Sequence, residues 1–155
     1  MTDIKKILVP IDFSDYSISA LKYAINFAKK FNAEILLTYV VEPFIYAADF
    51  TMSQAAIPDV DTDTRERAYN ELKRLIAAEI HEELPSEIII RTGKPFFEIN
   101  EVASEKNVDL IIIATHGHTG VEHLLFGSTA EKVVRKAPCP VLTLREPIKG
   151  FKYKN

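Results

Sequence analysis

Leu110-Ile111-Ile112-Ile113-Ala114 is apolar at every position. A strand wetted on one face would alternate, so an unbroken run implies cover on both faces. A polar, Gly-containing stretch follows, and then Ser128-Thr129-Ala130-Glu131. That Ser-x-x-Glu pattern is a capping box and predicts a helix starting at Ser128. Gly117, Gly120 and Gly127 are expected to supply the backbone freedom of a tight loop. A buried strand that feeds a Gly loop into a helix N-terminus is a general way to hold phosphate. The first N–H groups and the positive end of the helix dipole both face the ligand.

The rest of the chain repeats the strand-then-helix rhythm. Lys6 to Ile11 reads as a first strand, with Pro10 near its end and Asp12 just beyond it. Ser14 suits the N-cap of a helix to Phe31, whose Ile18, Leu21, Ala24, Ile25 and Ala28 recur at helical spacing. Ile35 to Val41 is the second strand. Residues 43–60 read as an ordered loop that covers the end of the sheet, with a lid over a ligand or a dimer contact as the alternative. Asp61 to Leu84 reads as one long helix, buried through Leu72, Leu75, Ile76 and Ile80. Glu87 to Arg91 is the third strand. Pro95 opens a helix to Lys106 that buries Ile99, Val102 and Ala103. Asp109 to Ala114 is the fourth strand, and the last helix, Ser128 to Lys136, packs through Ala130, Val133 and Val134. Val141 to Leu144 is the fifth strand.

Five strands separated by helices argue for an α/β fold with a parallel sheet and right-handed crossovers. Ligands in such sheets bind beyond the carboxyl ends of the strands, where the strand order reverses. An order of 3-2-1-4-5 would bring Asp12 and the Gly117 loop to one crevice, but spacing alone does not fix that order.

Composition narrows the partners. A length of 155 residues suits one domain with a sizeable core. The net charge of -3 argues against nucleic acid, which usually demands a basic face. The single cysteine, Cys139, allows no internal disulfide and fits a reducing, cytoplasmic setting. It is expected to be a small buried residue between Pro138 and Pro140. The apolar runs are too short to span a bilayer, and residues 1–6 lack a signal-peptide core, so no membrane association is expected.

The loop is neither a P-loop nor a dinucleotide fingerprint, since neither G-x-x-x-x-G-K-[ST] nor G-x-G-x-x-G occurs. What remains is Gly117, nine residues, then Gly127-Ser128. Together with Lys6-Ile7-Leu8-Val9-Pro10-Ile11-Asp12-Phe13-Ser14 and Ala137-Pro138-Cys139-Pro140-Val141-Leu142, this resembles the universal stress protein family over nearly the whole chain. Its ATP-binding branch carries G-x2-G-x9-G-[ST]. Gly117, Gly127 and Ser128 match that motif, while Ala114 stands where the first glycine would be.

The resemblance implies an open, Rossmann-like five-stranded parallel sheet of order 3-2-1-4-5 with helices on both faces. That domain would span residues 1–146, with a tail from 147 to 155. It implies an ATP site. Pro10, Ile11 and Asp12 would line its adenosine part, Val40 would pack on adenine, and Ile113 and Ala114 would lie near the ribose. Gly117, Gly127, Ser128 and Thr129 would hold phosphate, with His116 fixing the loop or approaching a phosphate, and Mg²⁺ would accompany the triphosphate. It also implies a cytoplasmic homodimer made through Val141–Leu144, acting as a stress-response regulator. Competing readings are a slow ATP hydrolase and a ligand-free dimerisation or adaptor module. No catalytic residue is assigned, and Asp12, His116 and Ser128 are not read as a triad. His116, His118 and His123 lack a third and fourth ligand set, so no metal site of their own is assigned.

Overall fold

The computed structural model describes residues 3–43, 60–81, 83–116 and 127–145. In chain order they form β1 (Lys6–Pro10), α1 (Asp15–Phe31), β2 (Glu34–Val41), α2 (Val60–Leu75), β3 (Ser86–Thr92), α3 (Pro95–Glu105), β4 (Leu110–Ala114), α4 (Ser128–Lys136) and β5 (Val141–Leu144). Residues 44–59 of the expected loop, residues 117–126 and the tail from 146 onward lie outside the described residues.

The strands form one parallel sheet in the order β3-β2-β1-β4-β5. β1 is central, with Ile7 beside both Ile35 and Leu110. The chain leaves β1 toward β2 on one side and returns to β4 on the other, so the carboxyl ends of β1 and β4 border the switch point. The Asp109 carboxylate ties the start of β1 to that of β4, accepting from the N–H groups of Lys5 and Lys6 at 2.9 Å each.

The unbroken apolar runs are explained by the two faces of the sheet. Ile7, Val9, Ile35, Leu37 and Ile112 point into a core layer covered by α1 and α2. Leu8, Leu36, Ile111 and Ile113 point into the opposite layer, under α3 and α4. Successive strand residues alternate faces, and both faces are dry, so a polar residue there needs an internal partner, as Thr38 of β2 has in the Ile89 carbonyl. Truncating a fully buried member such as Leu36 or Ile111 to Ala would destabilise by about 2–5 kcal/mol.

Helix ends depart from the sequence expectation in two places. α2 does not run on to Leu84. It widens into a π-helical turn over Ile76–Ile80 and stops at His81, which has a φ of 57° and donates its N–H to the Ile76 carbonyl at 2.9 Å. Pro85 follows, and the residue before a proline disfavours helical backbone. The expected stripe is correspondingly uneven: Leu72 and Ile80 are buried, while Leu75 and Ile76 are half-buried.

α4 begins at Ser128 as expected, but Ser128 is its first helical residue and not its cap. Gly127 is the cap, so the capping-box reading is displaced by one residue, and Glu131 instead pairs with Arg135 at 3.0 Å. α4 buries Ala130 and Val133, whereas Val134 is exposed because it turns away from the sheet. Ser14, by contrast, caps α1 as expected, its Oγ accepting the Ser17 N–H at 3.2 Å.

Candidate functional site

The carboxyl end of the sheet opens into a cavity of about 310 Å³, within the usual size of a small-molecule site. β1 contributes Pro10, Ile11 and Asp12 to its wall, and β2 contributes Val40. β4 contributes Ile113, Ala114 and His116, and the start of α4 contributes Gly127, Ser128 and Thr129. Every expected site residue among the described ones thus borders one space. Gly117 lies outside the described residues.

Several lining residues carried no sequence signal of their own. Tyr39 and Glu42 come from the end of β2, Pro95 and Ile99 from the start of α3, and Thr115 from the end of β4. Thr38 also borders the cavity, and its hydroxyl is committed to the Ile89 carbonyl at 3.1 Å. Glu42 could have been found by extending to strand two the rule applied to strand one, that polar groups beyond the strand end face the crevice. Pro95 and Ile99 could not, because their approach depends on where α3 starts.

Thr115 joins β4 to α4. It is buried, its N–H donates to the Leu144 carbonyl at 2.9 Å, and its hydroxyl donates to the same oxygen at 3.2 Å. Its own carbonyl accepts the Gly127 N–H. The glycine is needed for that closeness, not for backbone freedom. Gly127 has an ordinary extended conformation, φ -66° and ψ 152°, but a Cβ there would lie 2.9 Å from the Thr115 carbonyl oxygen.

Among the described residues no side chain caps α4, so the first N–H groups of the helix face the cavity without an acceptor inside the helix. α3 likewise starts at the cavity without a side-chain cap, behind Pro95. Two positive dipole ends therefore converge on one space.

The opposite wall is acidic. Asp12 Oδ1 accepts the Ser14 N–H at 2.9 Å and the Ser14 hydroxyl, which fixes the carboxylate at the rim. Phe13, between them, holds a φ of 62°, which a bulky residue rarely adopts. Its ring rests on Tyr39 with centroids 5.2 Å apart. Burial pushes the Tyr39 phenol above its ordinary range, and the carboxylates of Glu71, Asp12 and Glu42 push it further the same way. The His116 ring meets Tyr16 in a tilted contact with centroids 5.7 Å apart, and its Nδ1 lies 3.1 Å from the Thr115 hydroxyl.

The family model for the universal stress protein family matches residues 3–145. The chain belongs to the universal stress protein family. A universal stress protein of Methanocaldococcus jannaschii, MJ0531, is 40% identical over 150 residues, covering 94% of this chain and 84% of that protein. The structure of MJ0577 from the same organism superposes with a TM-score of 0.77 at 26% identity, over 94% of this chain and 98% of that one. A universal stress protein solved in complex with cAMP shares the fold at a TM-score of 0.69 and 22% identity, over 92% of this chain and 98% of that one. In this universal stress protein the five-stranded sheet of order 3-2-1-4-5 is the family fold.

Among the described residues, no group of three His, Cys, Asp or Glu side chains is placed to hold a metal; His118 and His123 lie outside them. No helix among the described residues is long and apolar enough to cross a membrane. Cys139 is half-buried against the layer under α3 and α4. Burial raises its thiol pKa and the Asp109 carboxylate adds to this.

Proposed function

We propose that this universal stress protein binds an adenine nucleotide, ATP in the first place, in the cavity at the β1/β4 switch point. One observation carries the reading: a cavity of about 310 Å³ is flanked by an apolar wall at Val40 and Ile113 and by the N-terminus of α4, which no described side chain caps. An apolar slot suits a base, and convergent backbone N–H groups suit phosphate. Pro10, Ile11 and Asp12 take the adenosine side, Ile113 and Ala114 the ribose, and Gly127, Ser128 and Thr129 the phosphates, together with Gly117. His116 approaches a phosphate. That the same fold holds cAMP in another universal stress protein supports an adenine ligand here.

Mg²⁺ fits this donor set. Beside the proposed phosphates the cavity offers hard oxygen donors, the hydroxyls of Ser128 and Thr129, and among the described residues no cage made wholly of protein. Bound there, it would neutralise phosphate charge.

The protein acts as a cytoplasmic, homodimeric regulator whose contacts respond to the nucleotide. β5 supports the dimer, since all four of its residues are only half-buried and it forms one edge of the sheet. A ligand-free adaptor is disfavoured because the described side chains leave the crevice open. The test is to denature freshly purified protein and identify released small molecules by chromatography and mass, then to titrate emptied protein with Mg-ATP. Released or rebound adenine nucleotide is expected. A protein that releases none and refuses millimolar Mg-ATP would overturn the reading.

A further inference from the structure

The cavity lining contains two carboxylates, Asp12 and Glu42, and no lysine or arginine among the described residues. The cations lie just outside it, on the side of α3 and α4. Lys132 and Lys136 both extend over the ring of Phe96, their Nζ atoms 5.0 and 5.6 Å from its centroid. Phe96 directly follows Pro95, which lines the cavity, so the ring sits in the first turn of α3 beside the rim. Lys94, the exposed cap residue of α3, precedes them both. None of these three lysines makes an ion pair with a described residue, whereas Arg135 on the same helix is held by Glu131.

The helix geometry aims these charges. Ser128, Lys132 and Lys136 are spaced by four residues and therefore share one face of α4. Helical side chains tilt toward the N-terminus, so Lys132 leans toward the Ser128 end of α4, with its Nζ over the Phe96 ring. The Phe96 ring gives both ammonium groups a common anchor on an otherwise flexible stem. The result is a polarised site, acidic at the ends of β1 and β2 and basic beyond the start of α4. A nucleotide with its base at Val40 and its first phosphate at Ser128 would direct any further phosphates toward the lysines.

We infer that Lys132, assisted by Lys136 and Lys94, forms a distal-phosphate subsite that makes the protein select nucleoside triphosphates over monophosphates. The inference rests on the nucleotide reading of the cavity given above. It assigns counting of phosphates to this lysine strip and leaves recognition of the nucleoside to the cavity wall.

Calorimetric titration of emptied full-length protein with ATP and with AMP, each with Mg²⁺, tests it. Wild-type protein should bind ATP more tightly than AMP. The K132A/K136A variant should lose about tenfold in ATP affinity, the scale of one charge-assisted contact, while AMP affinity stays within about twofold. K132R/K136R should restore the preference. The ATP affinity of the wild type should also fall more steeply with added salt than that of K132A/K136A. Three results would overturn the inference: an unchanged ATP-to-AMP ratio, an equal loss for both ligands, or no rescue by arginine. Failure of the wild type to bind either nucleotide would instead remove the reading of the cavity on which the inference stands.

Discussion

The carbonyl oxygen of Thr115 lies 2.9 Å from where a Cβ on Gly127 would sit. Two backbone segments, the end of β4 and the entry to α4, are in direct contact there, with the Gly127 N–H donating to that same carbonyl. The pair sets how deeply the N-terminus of α4 seats at the cavity. A substitution at Gly127 therefore acts through the main chain first and through any ligand second.

Gly127→Ala is expected to push α4 away from Thr115. The overpacking should destabilise by about 1–3 kcal/mol and weaken ATP binding together with stability. Gly127→Val should do both more strongly. Thermal melts paired with Mg-ATP titration check this. A Gly127→Ala protein with wild-type melting and wild-type affinity would show that the contact does not set the seat of α4.

Ser14 and Ser128 look alike in sequence, each standing at a helix start, but they differ in role. Ser14 Oγ accepts the Ser17 N–H at 3.2 Å, so Ser14→Ala should cost about 1 kcal/mol of stability. Ser128 is the first helical residue and caps nothing. Ser128→Ala should leave the denaturation midpoint within about 0.5 kcal/mol of wild type and lower nucleotide affinity. Urea unfolding and ligand titration of both variants separate the two roles.

This contrast marks how far the sequence reaches. The strands were legible because runs such as Leu110–Ala114 can only be covered on both faces, and the structure buries Leu110 to Ile113. The α1 cap was legible because its partners are three residues apart. The α4 cap was misplaced because Gly127 and Ser128 are both good cap residues. The choice between them depends on Thr115 pulling Gly127 into extended backbone, a contact set by the sheet. The end of α2 was missed for a similar reason, since the φ of 57° at His81 has no local pattern to announce it. In the site, motif positions were readable, whereas Pro95 and Ile99 arrive through the packing of α3 on the sheet.

Tyr39 makes stability depend on pH at the alkaline end. Its pKa is raised in the folded state, first by burial and then by Glu71, Asp12 and Glu42. The unfolded chain therefore gives up this proton at a lower pH than the folded one. The stability linked to Tyr39 is fully present below about pH 10, the ordinary tyrosine value, and is lost as pH rises through the folded-state value. Tyr39→Phe should flatten the fall in urea midpoint above pH 10 and leave the midpoint between pH 6 and 8 little changed apart from a constant offset. Parallel curves for the two proteins across the alkaline range would contradict this.

His81 ends the π-helical turn with a φ of 57° and a ψ of -149°, a region essentially restricted to glycine. The side chain is exposed, so little packing is lost on removing it. His81→Gly should stabilise the protein by about 1 kcal/mol, the low end of the strain such backbone carries. His81→Ala should not, since alanine keeps the Cβ that causes the strain. Chemical denaturation of the two variants checks the difference.

The edge strand β5 allows the proposed dimer to be tested without unfolding the monomer. The Pro140 carbonyl accepts from Ile111 at 3.0 Å, and the Leu144 carbonyl accepts from Thr115 at 2.9 Å. Backbone groups alternate sides along a strand, so the even-numbered residues of β5 face β4, and Val141 and Thr143 turn their amides outward. A proline at 143 then removes only an outward N–H, the kind of position an edge strand tolerates. If two copies pair through β5, Thr143→Pro should shift the protein from dimer to monomer in sedimentation at micromolar concentration. Because the β4–β5 ladder is untouched, its circular dichroism spectrum and ATP binding should stay close to wild type. Thr143→Ala, which keeps the N–H, should remain dimeric. A Thr143→Pro protein that stays dimeric would place the dimer contact elsewhere on the surface.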